Sequence, residues 1–293
     1  MSQKSLDNEI TKVLAEALDE SDDKFREVAK QFDLSGDKIQ GILNRLYAEA
    51  ESDDEDDGLD YSKAIGSRHY RDLEKAIDEE ADKISAAELA TTAAILAAVY
   101  KNTYYKSTFA LEQEIGIDLN FDLIPEEAIR IVVNKDWSGE HFSQRIWNNQ
   151  NKLKKELKDN LTYAIKNGES LPKVASKFQK SFDTKKYQAE RLVRTETAKI
   201  ADEANEKVYK DQGVEQVRWV ATLEANTCEV CADLDSNVYD INNHPPIPVH
   251  PNCRCVLSPY IEGLSSDIRK DNESKEYVNV KNYDEWFEKR VGG

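Results

Sequence analysis

All four cysteines of this 293-residue chain fall between Cys228 and Cys255, and that clustering limits the fold more tightly than any other feature. Cys228 and Cys231 form a C-x2-C pair, which lets two sulfurs point at one metal from a tight turn. After eighteen intervening residues comes His250, followed by Cys253 and Cys255 in the stretch VHPNCRC. A C-x2-C pair, a gap of that size and a second set of soft donors is the layout of a tetrahedral structural zinc site. Five candidate ligands, Cys228, Cys231, His250, Cys253 and Cys255, compete for four positions. If CRCVL is a strand, Cys253 and Cys255 point to one face, and spacing alone does not choose between them. A filled site has no open position for water or substrate. The expectation is therefore one structural Zn2+ per chain, contributing ~10–16 kcal/mol of apparent binding energy to a proline-rich module with little apolar mass.

Other uses of these residues are weaker. Two disulfides would need an oxidising compartment. A redox C-x2-C would sit in a thioredoxin-like βαβ unit, which the flanking sequence lacks. His250 lies too close in sequence to Cys253 for a usual nucleophile dyad. His244, before two prolines, reads as a loop residue.

Net charge is -17, with 39% hydrophobic and 33% charged residues. This describes a chain with a core and a wide solvated surface, and it argues against wholesale wrapping by nucleic acid, whose phosphates need Lys and Arg. MSQKSLDNEITKVL has no apolar h-region, so no secretory leader is expected. The most apolar stretch, Ala86 to Tyr100, is shorter than the ~20 residues of a membrane span and contains Glu88. It reads as a buried or partner-facing helix, with no membrane partner.

The fold class expected is mainly α with a small α+β C-terminal module, short β-strands around the Cys/His knuckle. Residues 1–50 form an N-terminal helical segment of two or three short helices, with Ser35 as a cap. Residues 51–60 carry seven acids in ten and read as an acidic linker. Residues 61–183 form a helical body, broken near Gly116–Pro125, Gly139, Asn167–Pro172 and the stretch SFDTKKY. Residues 184–260 hold a long helix, starting at Asp183 or Thr184, and then the β module with strands in VEQVRWVATL, NVYDI and CRCVLSPY. Residues 261–293 read as a polar tail with one short helix at NYDEWFEKRV.

The residues RLVRTETAKIADEANEKVYK, Trp219 with Ala221-Thr222-Leu223, Cys228, Cys231 and HPNCRC, taken in order, resemble the C-terminal domain of phage minor head proteins, the Mu F-like or head morphogenesis family. DWSGEHFSQRIWNNQ upstream is similar to a segment that this family carries, so the likeness extends over roughly residues 104–260. Where the family usually has LDG after the C-x2-C, this chain has Leu234-Asp235-Ser236-Asn237, and Asn is expected to take the left-handed turn position.

The resemblance implies a non-enzymatic virion protein, present in few copies and bound to the portal protein inside the capsid near the portal vertex, after assembly in the host cytoplasm. It implies roles in head assembly and in genome packaging or ejection. Scaffold or major capsid protein and packaged double-stranded DNA are further expected partners. Some relatives of this kind join the domain to a toxin; the 33 polar residues after Tyr260 are expected to be too few for a catalytic domain. The alternatives are a zinc-stapled nuclease, for which no H-N-H-like arrangement is visible, and a DNA-binding protein, against which the Lys- and Arg-poor module counts.

Residues 150–200 hold 13 Lys or Arg against 6 acids. Lys152, Lys154, Lys155, Lys158, Lys173, Lys177, Lys180, Lys185, Lys186 and Arg191 are the candidate face for DNA or portal. An ordinary helix surface laced with i,i+4 pairs is the competing reading. Arg194, Glu196 and Trp219 are expected to brace the long helix against the module.

Overall fold

The computed structural model describes residues 3–50, 60–115, 119, 121, 123–225 and 227–261, together with the backbone of 268–270 and 277–279. Helices dominate: α1 (Gln3–Ala50), α2 (Tyr61–Gly66), α3 (Arg68–Ile115), α4 (Glu126–Val133), α5 (Phe142–Asn167) and α6 (Leu171–Asp211). There follow β1 (Gln216–Val220), the short α7 (Glu229–Leu234), β2 (Val238–Asp240) and β3 (Val256–Pro259). The three strands form an antiparallel sheet in the order β2-β1-β3, with Val217 opposite Tyr239 on one side and Pro259 on the other. The expected fold class, mainly α with a small β module, is the one observed.

The chain divides into two compact units. One comprises Met1–Asp22, Ala94–Lys135 and Arg194–Gly293; the other comprises Asp23–Ala93 and Asp136–Val193. The second, all-helical unit has a core of side chains such as Phe32, Leu43, Leu73, Ile77, Leu153, Leu157 and Phe178. Two of its buried acids are paired, Glu80 with Lys38 and Lys83 and Glu169 with Lys173 and Lys177, while Glu88 is held by Gln150. The first unit holds the sheet. Trp219 on β1 is fully buried there, and Tyr209 of α6 donates its hydroxyl to the Leu257 carbonyl of β3 at 2.9 Å. Gln3 covers the β3 end, donating to the Pro259 carbonyl at 2.5 Å and accepting from Ile261 N–H at 3.0 Å.

Several sequence expectations need correction. Residues 3–50 are one helix rather than two or three. Ser35, read as a cap, is buried inside it and donates its hydroxyl to Glu80, so it does not compete for a backbone N–H. The helix expected to start at Asp183 or Thr184 instead runs through both from Leu171. Thr184 donates to the Lys180 carbonyl one turn back, and Asp183 accepts from Gln179, so both polar groups are satisfied within the helix. In the C-terminal segment, read as a tail with one helix, backbone strands β4 (Ile268–Lys270) and β5 (Tyr277–Asn279) pair antiparallel. The acidic stretch 51–59 and NYDEWFEKRV lie outside the described residues. Of the described helices, α3 is long and apolar enough by length and composition to cross a membrane; within that apolar stretch Glu88 and Thr92 are fully buried.

Candidate metal centre

The C-x2-C pair is built on a helix start. Cys228 is the N-cap of α7, and its sulfur accepts the Cys231 N–H at 3.4 Å. Capping therefore turns both sulfurs toward the same side. The opposing donors come from the turn His250-Pro251-Asn252-Cys253, closed by a bond from Cys253 N–H to the His250 carbonyl at 3.2 Å. Asn252 takes the left-handed conformation, φ 62°, which Asn tolerates better than most residues. Its N–H donates to Thr195 Oγ1 of α6 at 3.2 Å, which fixes the turn to the long helix.

All five sequence-predicted donors come together. Ligand atoms of Cys228, Cys231 and His250 lie within 4.8 Å of one another, as do those of Cys231, Cys253 and Cys255. Cys231 is common to both sets. Its sulfur stands 3.2 Å from His250 Nε2 and 3.9 Å from Cys253 Sγ. A tetrahedron with metal–sulfur bonds of about 2.3 Å has edges of about 3.8 Å, so the latter spacing is that of two ligands on one ion. His250 Nδ1 donates to the Pro251 carbonyl at 2.8 Å, which leaves the Nε2 lone pair aimed at the sulfurs. Cys231, Cys253 and Cys255 are buried and Cys228 is half-buried; all four are thiols. The sulfurs of Cys253 and Cys255 do not converge by strand alternation as expected. Strand β3 begins only at Val256, and it is the irregular backbone of the turn that presents both.

The electrostatics favour a cation. Hydrogen bonds from Cys231 and Cys255 pull the Cys253 thiol well below its ordinary value, while the bond to Cys253 pushes Cys231 well above it. Packed together in a desolvated place, these sulfurs do not ionise together unless positive charge neutralises them. The cluster fits a metal ion bound by soft donors.

The neighbourhood is ordered by few contacts. Arg194 forms two 2.7 Å bonds to Asp22 and so braces α6 against α1; the next residue, Thr195, carries the bond to the module. Glu196 is buried on the same helix. His244 stands apart from the cluster, 3.3 Å from Glu206 of α6, and that carboxylate raises its pKa. In the LDSN turn the left-handed residue is Ser236 (φ 68°), not Asn237 as expected. Ser236 N–H bonds the Trp219 carbonyl and Trp219 N–H bonds the Asn237 carbonyl, which sets the reversal one residue earlier.

The basic block is largely compensated. Lys154, Lys158, Lys173, Lys177, Lys185 and Lys186 pair with carboxylates at 2.6–3.0 Å, and Arg191 lies over the Tyr187 ring. Lys152, Lys155 and Lys180 have no ion pair among the described residues. Sequence reading missed Asp22 and gave Thr195 no role; only the polar run Arg194–Thr197 on an otherwise amphipathic helix marked the place.

A family profile described as Phage Mu protein F like protein matches residues 155–258. The chain is also 29% identical over 206 residues to the NAD(+)–arginine ADP-ribosyltransferase EFV of Enterococcus faecalis, a match covering 64% of this chain and 42% of that protein. The chain thus spans less than half the length of that relative. No solved structure matches. The upstream DWSGE segment lies outside the profile match, but α5 from residue 155 onward, all of α6, the three-stranded sheet as far as Ser258 and every donor of the cluster lie within it. Over residues 155–258 the chain is similar to the phage Mu F-like family of head morphogenesis proteins.

Proposed function

We propose that the chain is a non-enzymatic minor protein of a tailed-phage head, docked on the portal protein inside the capsid in few copies and acting in head assembly and genome packaging or ejection. The observation that carries this reading is the convergence of Cys228, Cys231, His250, Cys253 and Cys255 inside the Mu F-like match. In this reading a structural Zn2+ is held by Cys231, His250 and Cys253, and either Cys228 or Cys255 completes the tetrahedron. The ion supplies a cross-link between α7 and the turn before β3. Thr195 then transmits the position of that turn to α6, and Arg194 to α1. Lys152, Lys155 and Lys180 are the residues of the basic block left to meet DNA or an acidic portal surface, with scaffold or capsid protein as further partners.

The test is elemental analysis of the purified protein with a thiol count before and after chelation. About one zinc per chain, with thiols that react only after chelation, is expected. Single replacements of Cys228 and Cys255 then name the fourth ligand. A metal-free protein with freely reactive thiols would overturn the zinc reading.

The relative's name supports a second reading, transfer of ADP-ribose from NAD+ to arginine. Incubation with labelled NAD+ and an arginine-rich acceptor separates the two. Label on the acceptor would replace the non-enzymatic reading; none is expected.

A further inference from the structure

Beside the Cys/His cluster lies an open cleft of about 580 Å³, within the size range of ligand sites. It is lined by Thr11, Leu18, Asp19 and Asp22 of α1, by Thr222, Glu224 and Arg254, and by the five donors of the cluster itself. Both guanidiniums are already engaged, Arg194 by two bonds to Asp22 and Arg254 by a 3.0 Å bond to Glu224. Asp19 is exposed and has no ion pair or hydrogen bond among the described residues. The hydroxyls also face one way chemically. Thr11 donates to the Asp7 carbonyl at 2.7 Å, Thr222 to the Arg254 carbonyl at 3.0 Å and Thr227 to the Thr222 carbonyl at 2.6 Å. Each has spent its one proton on the backbone and offers the cleft lone pairs only.

A ligand entering this cleft therefore meets acceptors and uncompensated negative charge. A phosphate could reach the remaining N–H groups of Arg254 only while facing Glu224 and Asp19. A guanidinium or ammonium group brings the donors and the charge that the walls lack. We propose that the cleft docks a basic segment of a partner protein, with an Arg or Lys side chain set between Asp19 and the Thr222 hydroxyl. This goes beyond the head-protein reading, because it specifies the chemistry of the contact surface, and it holds whichever of Cys228 and Cys255 is the fourth ligand.

The test uses the full-length protein as purified, with its metal content measured. Short blocked peptides of alternating Gly and Arg, Gly and Lys, or Gly and Gln are titrated at low ionic strength, with binding followed by amide chemical shifts. The two basic peptides are expected to bind, shifting Asp19, Thr222 and Thr227, and to weaken with salt; the Gln peptide is not. Asp19→Asn should weaken binding about two- to fivefold, and Asp19→Lys about tenfold or more. Asp37→Lys, an exposed α1 site outside the cleft with the same change in net charge, should cost less than about twofold. Equal losses from Asp19→Lys and Asp37→Lys would reduce the effect to general attraction by an acidic protein and overturn the proposal. So would pyrophosphate shifting the cleft amides more strongly than the basic peptides. Metal content is read on the same samples, so failure of the docking site and failure of the zinc reading are distinguishable.

Discussion

The all-helical unit and the Cys/His module bury polar groups by different means, although the unit that holds the module also pairs its buried Asp7 with Arg218 and Asp202 with Lys199. In the all-helical unit, buried Glu80 and Glu169 each meet two lysines, and long apolar side chains fill the space around them. The Cys/His module buries three thiols side by side, and their ionised forms would repel one another. The helical unit draws on packing and ion pairs, whereas in the proposed zinc reading a cation neutralises the ionised sulfurs of the module. In that reading stability in the first is spread over many contacts, and in the second the metal concentrates it at one point.

Chelation is the strongest way to break that contrast. Removing a metal with ~10 kcal/mol of apparent binding energy exceeds what the small sheet can supply alone. Chelator, or Cys231→Ala, is expected to expose Trp219 to solvent and to end amide protection in β1 and β3, while protection persists in α5. Simultaneous loss in α5 would show that the helical unit depends on the module and that the contrast is false.

The next largest effect tests the helical unit from inside. Glu88 on α3 is fully buried, and Gln150 donates to its Oε2 at 3.0 Å; no ion pair reaches it among the described residues. Burial pushes its pKa up to about 7, only partly offset by the Gln150 bond. Because the folded value lies above the unfolded one, the stability linked to this proton is fully present below the unfolded value of 4.5 and is lost as pH rises through about 7. The difference corresponds to about 3 kcal/mol. Glu88→Gln should therefore stabilise the protein by up to about 3 kcal/mol at alkaline pH and by little near the unfolded value, flattening the pH dependence of denaturant unfolding. A constant gain at every pH would mean that the proton is not the cause.

These two regions also differ in how much the sequence reveals. The donor set was legible because soft ligands at C-x2-C spacing have few other uses, and the breaks at Pro125 and Gly168 were legible because Pro marks a helix start and a left-handed Gly a helix end. The continuity of α1 and α6 was not. Ser35, Asp183 and Thr184 are cap-forming residues, and only their tertiary or same-helix partners show that they do not cap. Charge was misleading for a similar reason: six lysines of the basic block are neutralised, some by acids more than 70 residues away, such as Asp78 and Asp82. The Arg194–Asp22 bond spans 172 residues and no local pattern announces it.

A smaller effect sharpens the link between module and helix. Thr195→Val keeps the shape of the side chain but removes the acceptor for Asn252 N–H, leaving a part-buried donor unpaired, at a cost of about 1 kcal/mol. If the HPNC turn is held to α6 through this bond, metal loss to a chelator should accelerate several-fold, with the α5 amides unaffected. An unchanged rate of metal loss would assign the position of the turn to the metal alone.

The smallest effect tests whether the helical unit is governed by ordinary helix energetics. Gly36 lies within α1, where glycine loses more backbone freedom on folding than alanine does. A Cβ added there would meet the Phe182 ring at 3.7 Å, an ordinary contact that needs no rearrangement. Gly36→Ala should therefore stabilise by about 0.5–1 kcal/mol, raising the denaturant midpoint with an unchanged slope. Because the helical unit draws its stability from packing, this gain should survive chelation intact. A gain that disappears when metal is removed would tie Gly36 to the module and erase the distinction between the two regions.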